Sequence, residues 1–233
     1  MRIWDLSPGY LNRQSLLGEH RELHGIYSIL TNGKVGYARH PETLRWARSR
    51  SGLSVRHRQL AAEMRLRGYL DRTPLRCTPS RAKWPQSFVT DPAEQFVLLR
   101  HKYVGREKGR IRLPASPQEL WAQHKYSVMA RSPQTYQALG RAVARMRRGT
   151  PMSELARDLT WILRDAPPQG RLMNALEHLW GHVRDNATED DLAAARTSAR
   201  QLLACTQRLA LRFRDTFLLA STALSELAVF IGE

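Results

Sequence analysis

The chain has 233 residues and carries 37 lysines and arginines against 21 acidic residues, a formal net charge of +16. Hydrophobic residues make up 42% of it, enough for a buried core, which excludes a generally disordered chain. The charge is uneven: residues 1–112 hold 22 basic and 9 acidic side chains, residues 113–233 hold 15 and 12. So large an excess in one half is the footprint of a nucleic-acid binder, the alternative being a merely solvating basic surface.

Cys77 and Cys205 are the only cysteines and lie far apart. They form no CxxC pair, and no His/Cys zinc spacing accompanies them, so no metal, cofactor or disulfide scaffold is expected. A reducing cytoplasm fits, with the nucleoid as the place of a DNA-binding chain. "MRIWDLSPGY" has no apolar run and does not read as a signal peptide. The most apolar stretch, Phe217 to Gly232, is interrupted by Glu226 and is too short to span a bilayer.

In chain order, one punctuation recurs. Ser7-Pro8, Asp91-Pro92, Ser116-Pro117, Ser132-Pro133 and Thr150-Pro151 each put a capping side chain before a proline. The side-chain oxygen takes an orphan N–H, and proline at the first helical position loses nothing. Glu94 and Glu119, three residues after their caps, complete two capping boxes. Helices are predicted over 8–30, 41–50, 54–67, 92–104, 117–130, 133–147, 151–164, 170–184 and 189–230, the last broken once. Only "GRIRLP" (Gly109 to Pro114) alternates like a strand. Residues 71–90, with three prolines, read as a loop, and a second loop from Gly105 to Ser116 coincides with the fall in charge. The fold class is therefore all-α, with a boundary between residues 1–112 and 113–233.

On the first helix, Leu16, Leu23, Ile26, Tyr27 and Leu30 form a core face. Opposite them fall Gln14, Gly18, Arg21 and Gly25, with Glu22 on the flank. Glycine costs roughly 1 kcal/mol inside a helix, so two on one face suggest a close approach. Either a phosphodiester backbone comes near, met by Arg13 and Arg21, or another helix packs there. Glu22 itself reads as a surface carboxylate paired with Arg21 or His24, or as a functional group. Trp4, Tyr10 and Trp46 could stack on bases, although core positions are the commoner fate of such rings.

"MRIW", "LNRQSLLGEHREL" and "GYARHPETLRWA" resemble the pyrimidine-dimer DNA glycosylase family, whose founder is the phage endonuclease V. The resemblance covers residues 1–75 well and reaches weakly to 104. It implies an endonuclease V-like helical domain in which the chain's own α-amine is the nucleophile and the glutamate matching Glu22 is essential. It also implies that Arg21 helps hold kinked DNA, with Gln14 in the same matching stretch. An α-amine titrates lower than lysine, so a useful fraction of such groups is neutral near pH 7 and can attack C1′ of the sugar. A nearby carboxylate then stabilises the cationic imine and moves protons during β-elimination. The founder exposes a threonine amine after loss of methionine. Here Arg2, which blocks that removal, puts Met1 at the threonine's place, and Ser15 and Gly25 replace a histidine and an arginine. Met1 and Glu22 are the candidate catalytic residues. Arg2, Arg13, Gln14, Arg21, Tyr37, Arg39 and His40 are the candidate DNA contacts, with a helix-capping turn before Pro41 as the alternative role of Tyr37 and His40.

"HKYSVMARSPQTYQALGRAVA" (His124 to Ala144) and "LMNALEHLWGHV" (Leu172 to Val183) resemble the YbgA-type domain of uncharacterised function, implying a C-terminal helical bundle of accessory role. His124, Lys125, Tyr126, Arg131, Tyr136, His178 and His182 are its polar residues of interest. His178 and His182, at i and i+4, could share a metal on one helix face. The expected activity is a DNA glycosylase and abasic-site lyase acting on double-stranded DNA at damaged or modified pyrimidines. The alternatives are a non-catalytic nucleic-acid binder and an enzyme on modified pyrimidines in RNA.

Overall fold

The computed structural model describes residues 1–76, 78, 81–147 and 149–232, so Cys77 lies outside the described residues. Its helices are α1 (Arg13–Asn32), α2 (Pro41–Trp46), α3 (Arg50–Leu66), α4 (Pro92–Lys102), α5 (Pro117–Met129) and α6 (Pro133–Arg145). They continue with α7 (Ser153–Ile162), α8 (Gln169–Gly181), α9 (Glu189–Ala195), α10 (Ala199–Arg212), α11 (Thr216–Leu219) and α12 (Ala223–Glu226). No strand occurs among the described residues, and no helix of theirs is long and apolar enough to cross a membrane.

Three of the five cap-proline signals start an α-helix. Asp91, Ser116 and Ser132 each accept a backbone N–H of the first turn they precede. Three expectations about the helices fail. The first helix begins at Arg13, not at 8, because Pro8–Tyr10 closes a single 3-10 turn and Asn12 becomes the cap, accepting from the Ser15 amide at 2.8 Å. Burial decides this. Tyr10 and Leu11 turn fully into the core, where the Tyr10 hydroxyl donates to Gln123 and its ring meets Phe96 edge-on. Thr150 caps nothing: α7 starts three residues later with no side-chain cap. The predicted 189–230 helix is interrupted repeatedly, giving α9 to α12. Arg214 at a φ of 53° and a fresh cap at Asp215 separate α10 from α11.

"GRIRLP" is a connector rather than a strand. The Ile111 amide donates to the Gly9 carbonyl, and a side chain at Gly109 would strike the Tyr10 carbonyl oxygen at 2.3 Å. From the same connector Arg110 reaches the buried Glu63 of α3 and the carbonyls of Leu219 and Ser221. Burial alone would push the Glu63 carboxyl up, but Arg110 and Arg67 outweigh it and hold the carboxyl at about 2.

The apolar core forms two clusters, and neither stops at residue 112. One joins Val55 and Leu66 of α3 to α8, α10 and the C-terminal turns. The other surrounds Trp46, Leu16, Leu23 and Phe96 and takes in Leu120, Val128, Val143 and Leu159. Trp4, Tyr10 and Trp46 are all buried, so they are core residues and not stacking platforms.

Candidate functional site

The site is built on α1 and on the extended segment that precedes the first turn. Residues 2 to 5 run back along α1 and are held by side chains in place of a neighbouring strand. The Arg2 amide donates to Glu22 Oε2 at 2.6 Å, the Trp4 amide to Glu19 Oε1 at 3.1 Å, and the Asp5 amide to Gln95 Oε1 at 2.8 Å. Alternate amides thus point the same way, as the pleat of an extended chain requires. The Arg2 amide nitrogen lies one residue from the Met1 amine, so standard bond lengths put that amine within about 6 Å of the Glu22 carboxylate.

Beneath the segment lies a network of buried charge. Arg56 of α3 grips Glu19 through two hydrogen bonds of 2.7 and 2.9 Å and donates to the Leu6 carbonyl. Burial nevertheless lifts the Glu19 carboxyl to about 7, with Arg56 and the Trp4 amide opposing it only in part. Asp5 is held by Arg45, by Arg164 at 2.8 Å and by the Gln95 side-chain amide, so α2, α4 and the turn after α7 converge on the segment. Glu42 accepts from Arg45 and from the Trp46 indole, and burial raises its pKa. Sequence reasoning missed Glu19, Arg56, Asp5 and Arg164. The available signal was that Glu19 lies three residues before Glu22 on α1, one helical turn toward its N-terminus.

The candidate DNA contacts divide into three sets. Arg13, Gln14 and Arg21 are exposed on the outer side of α1. On the same side Gly18 and Gly25 have open space where a side chain would stand, so no helix among the described residues packs against them. Tyr37 and Arg39 are also exposed. Tyr37 holds a φ of 58°, costly for a residue with a Cβ, while its ring stays 71% exposed. His40 caps α2, its Nδ1 accepting from the Glu42 amide at 3.2 Å, and Arg2 is half-buried, reaching Thr90 and lying over the Trp4 ring.

The polar residues of the C-terminal half do not form one site. His124 is buried, Arg131 pairs with Glu226 at 2.5 Å, and Tyr136 packs on Trp121. His178 stacks on the Tyr126 ring and His182 hydrogen-bonds its hydroxyl, with Lys125 over the same ring. A grouping absent from the sequence reading appears instead between α1 and α3. His20, His24, His57 and Asp71 bring one ligand atom each within 4.8 Å of one another. Burial lowers the pKa of His57 to about 4 and also lowers that of His24.

Residues 1–76 match the family model described as pyrimidine dimer DNA glycosylase, and residues 125–226 match one described as a protein of unknown function (DUF1722). No curated protein and no solved structure matches the chain significantly. The first match covers the extended segment and α1 to α3. It points to a glycosylase-like function with DNA as the substrate.

Proposed function

We propose that this protein is a DNA glycosylase with abasic-site lyase activity on damaged or modified pyrimidines, working through an imine on the Met1 amine. The observation that carries the reading is the hydrogen bond from the Arg2 amide to Glu22, which keeps the start of the chain beside a carboxylate. It falls inside the segment that matches the glycosylase family model.

The neutral amine attacks C1′, and the bond from C1′ to the base breaks as the base leaves with a proton. The bond from C1′ to the ring oxygen then opens, the oxygen taking a proton from water to become a hydroxyl, and a protonated imine remains. Glu22 stabilises that cation and takes the proton from C2′, after which the 3′ C–O bond breaks and the strand is cut. Arg13, Gln14, Arg21 and Arg39 are suited to phosphate contacts and Tyr37 to stacking on an unpaired base. A lesion lowers the few kcal/mol needed to open the duplex. Arg2 and His40 act from the edge: the Arg2 amide ties the start of the chain to Glu22, and His40 sets the start of α2.

Borohydride trapping on duplex DNA with an abasic site tests this. The wild-type chain with a free Met1 amine should give a covalent adduct that maps to Met1, and one residue added before Met1 should abolish it. Glu22→Gln should cut strand cleavage roughly 100- to 10,000-fold with affinity equal or higher, since a negative charge near phosphates is gone. An adduct on a lysine such as Lys34 would overturn the nucleophile. Near wild-type cleavage by Glu22→Gln would overturn the role of the carboxylate.

A further inference from the structure

Three histidine rings meet where α1 crosses α3. The ring centroids of His20, His24 and His57 are 4.8 Å apart in each of the three pairs. Their Nε2 atoms turn inward. His24 Nε2 is 3.0 Å from His57 Nε2, His20 Nε2 is 3.3 Å from Asp71 Oδ1, and His57 Nε2 is 3.6 Å from Asp71 Oδ2. Asp71 comes from the segment after α3, so three separate pieces of chain supply the four groups.

Hydrogen bonding alone does not account for this convergence. A neutral imidazole has one N–H, and two facing Nε2 atoms can share one proton at most. His20 Nε2 is buried and makes no hydrogen bond of acceptable geometry. Buried polar atoms are rarely left so, and here the orphan atom points at two other nitrogens and a carboxylate. A cation at their centre satisfies all four. A tetrahedral zinc ion with bonds of about 2.0–2.1 Å needs neighbouring ligand atoms about 3.3 Å apart; the three separations above straddle that value, and the four ligand atoms all lie within 4.8 Å of one another, within reach of small side-chain rotations.

We propose that His20, His24, His57 and Asp71 form a binding site for one zinc ion that fastens the segment after α3 to α1 and α3. Three imidazoles and one carboxylate are borderline donors without thiolate, which suits zinc better than the hard ions magnesium and calcium. Four protein ligands close the coordination sphere, so the ion is structural. Its position on α1 agrees: at about 100° per residue, His20 and His24 lie roughly 100–160° around the helix from Glu19 and Glu22. The Thr73 hydroxyl, 3.0 Å from His24 Nε2, would turn to Asp71 Oδ1, from which it is 3.5 Å away.

The experiment is zinc titration of the full-length chain after chelation, followed by calorimetry and by elemental analysis of the dialysed protein. Wild type should bind one zinc per chain, with a higher thermal midpoint on zinc addition, and magnesium should do neither. His24→Gln should weaken zinc binding at least 100-fold and lose the thermal response while keeping its helical circular dichroism. Because chelation and refilling use the unmodified chain, a variant that fails to fold does not stall the test. Absence of stoichiometric zinc uptake by metal-free wild type would overturn the proposal. So would uptake that survives His24→Gln and disappears in His178→Gln/His182→Gln.

Discussion

Replacing Glu19 by glutamine separates burial from ion pairing at the residue that anchors the extended segment. The wild-type carboxyl sits at about 7 in the fold because burial outweighs Arg56, against 4.5 for the free group. A carboxyl raised in the fold binds its proton more tightly there than in the unfolded chain, so its contribution is full below pH 4.5 and is lost as pH rises through 7. At 1.36 kcal/mol per unit, with the folded group half ionised at pH 7, the loss between pH 4.5 and 7 is about 3 kcal/mol. Glutamine keeps an acceptor for the Trp4 amide and does not titrate. Its amide facing Arg56 adds an offset that does not change with pH. In urea unfolding at pH 4.5, 5.5, 6.5 and 7.5, the difference between variant and wild type should therefore move by about 3 kcal/mol in the variant's favour across the series. A gap of constant size would refute the reasoning: it would mean that the two hydrogen bonds from Arg56 keep Glu19 ionised throughout.

Gly25→Ala places a methyl group in open space on the outer side of α1, so it should stabilise the helix by roughly 1 kcal/mol and raise the melting temperature by about 2–4 °C. If a DNA backbone approaches that side, duplex affinity falls in the same variant; unchanged affinity with the higher melting temperature would reject that side as the DNA contact. His124 is fully buried and burial lowers it to about 4, so the unfolded chain takes up its proton first. Its contribution is intact above pH 6.5 and is lost as pH falls toward 4, by about 3 kcal/mol. His124→Gln should flatten that part of the stability profile in thermal unfolding, and an equally acid-sensitive variant would show that His124 is protonated in the fold.

The sequence alone determined the features that depend on near neighbours along the chain. An oxygen before a proline caps through contacts within one turn, which is why Asp91, Ser116 and Ser132 were legible as caps, although the same pairing starts only a 3-10 turn at Ser7 and no helix at Thr150. Leucine spacing on α1 named its core side for the same reason, and Leu16, Leu23 and Ile26 are fully buried. Where the core competed with local signals, the core won. Burying Tyr10 and Leu11 costs the first helix its predicted opening turn, and Asn12 takes over from Ser7 as its cap.

Only the tertiary structure decided which side chains meet. Glu19 and Arg56 are 37 residues apart and each alone reads as an ordinary charged helix residue, yet together they clamp the segment that brings residue 2 to Glu22. Arg110 looked like part of a charged loop until Glu63 and the Leu219 carbonyl stood around it. His20 and His24 carry the i, i+4 spacing in the sequence, but the pair gains meaning only when His57 and Asp71 arrive from elsewhere. The physical reason is common to all three. Helix propensity and capping act over a turn or two, whereas a buried charge or a ring of ligands is held by partners that only chain folding brings within 3 or 4 Å.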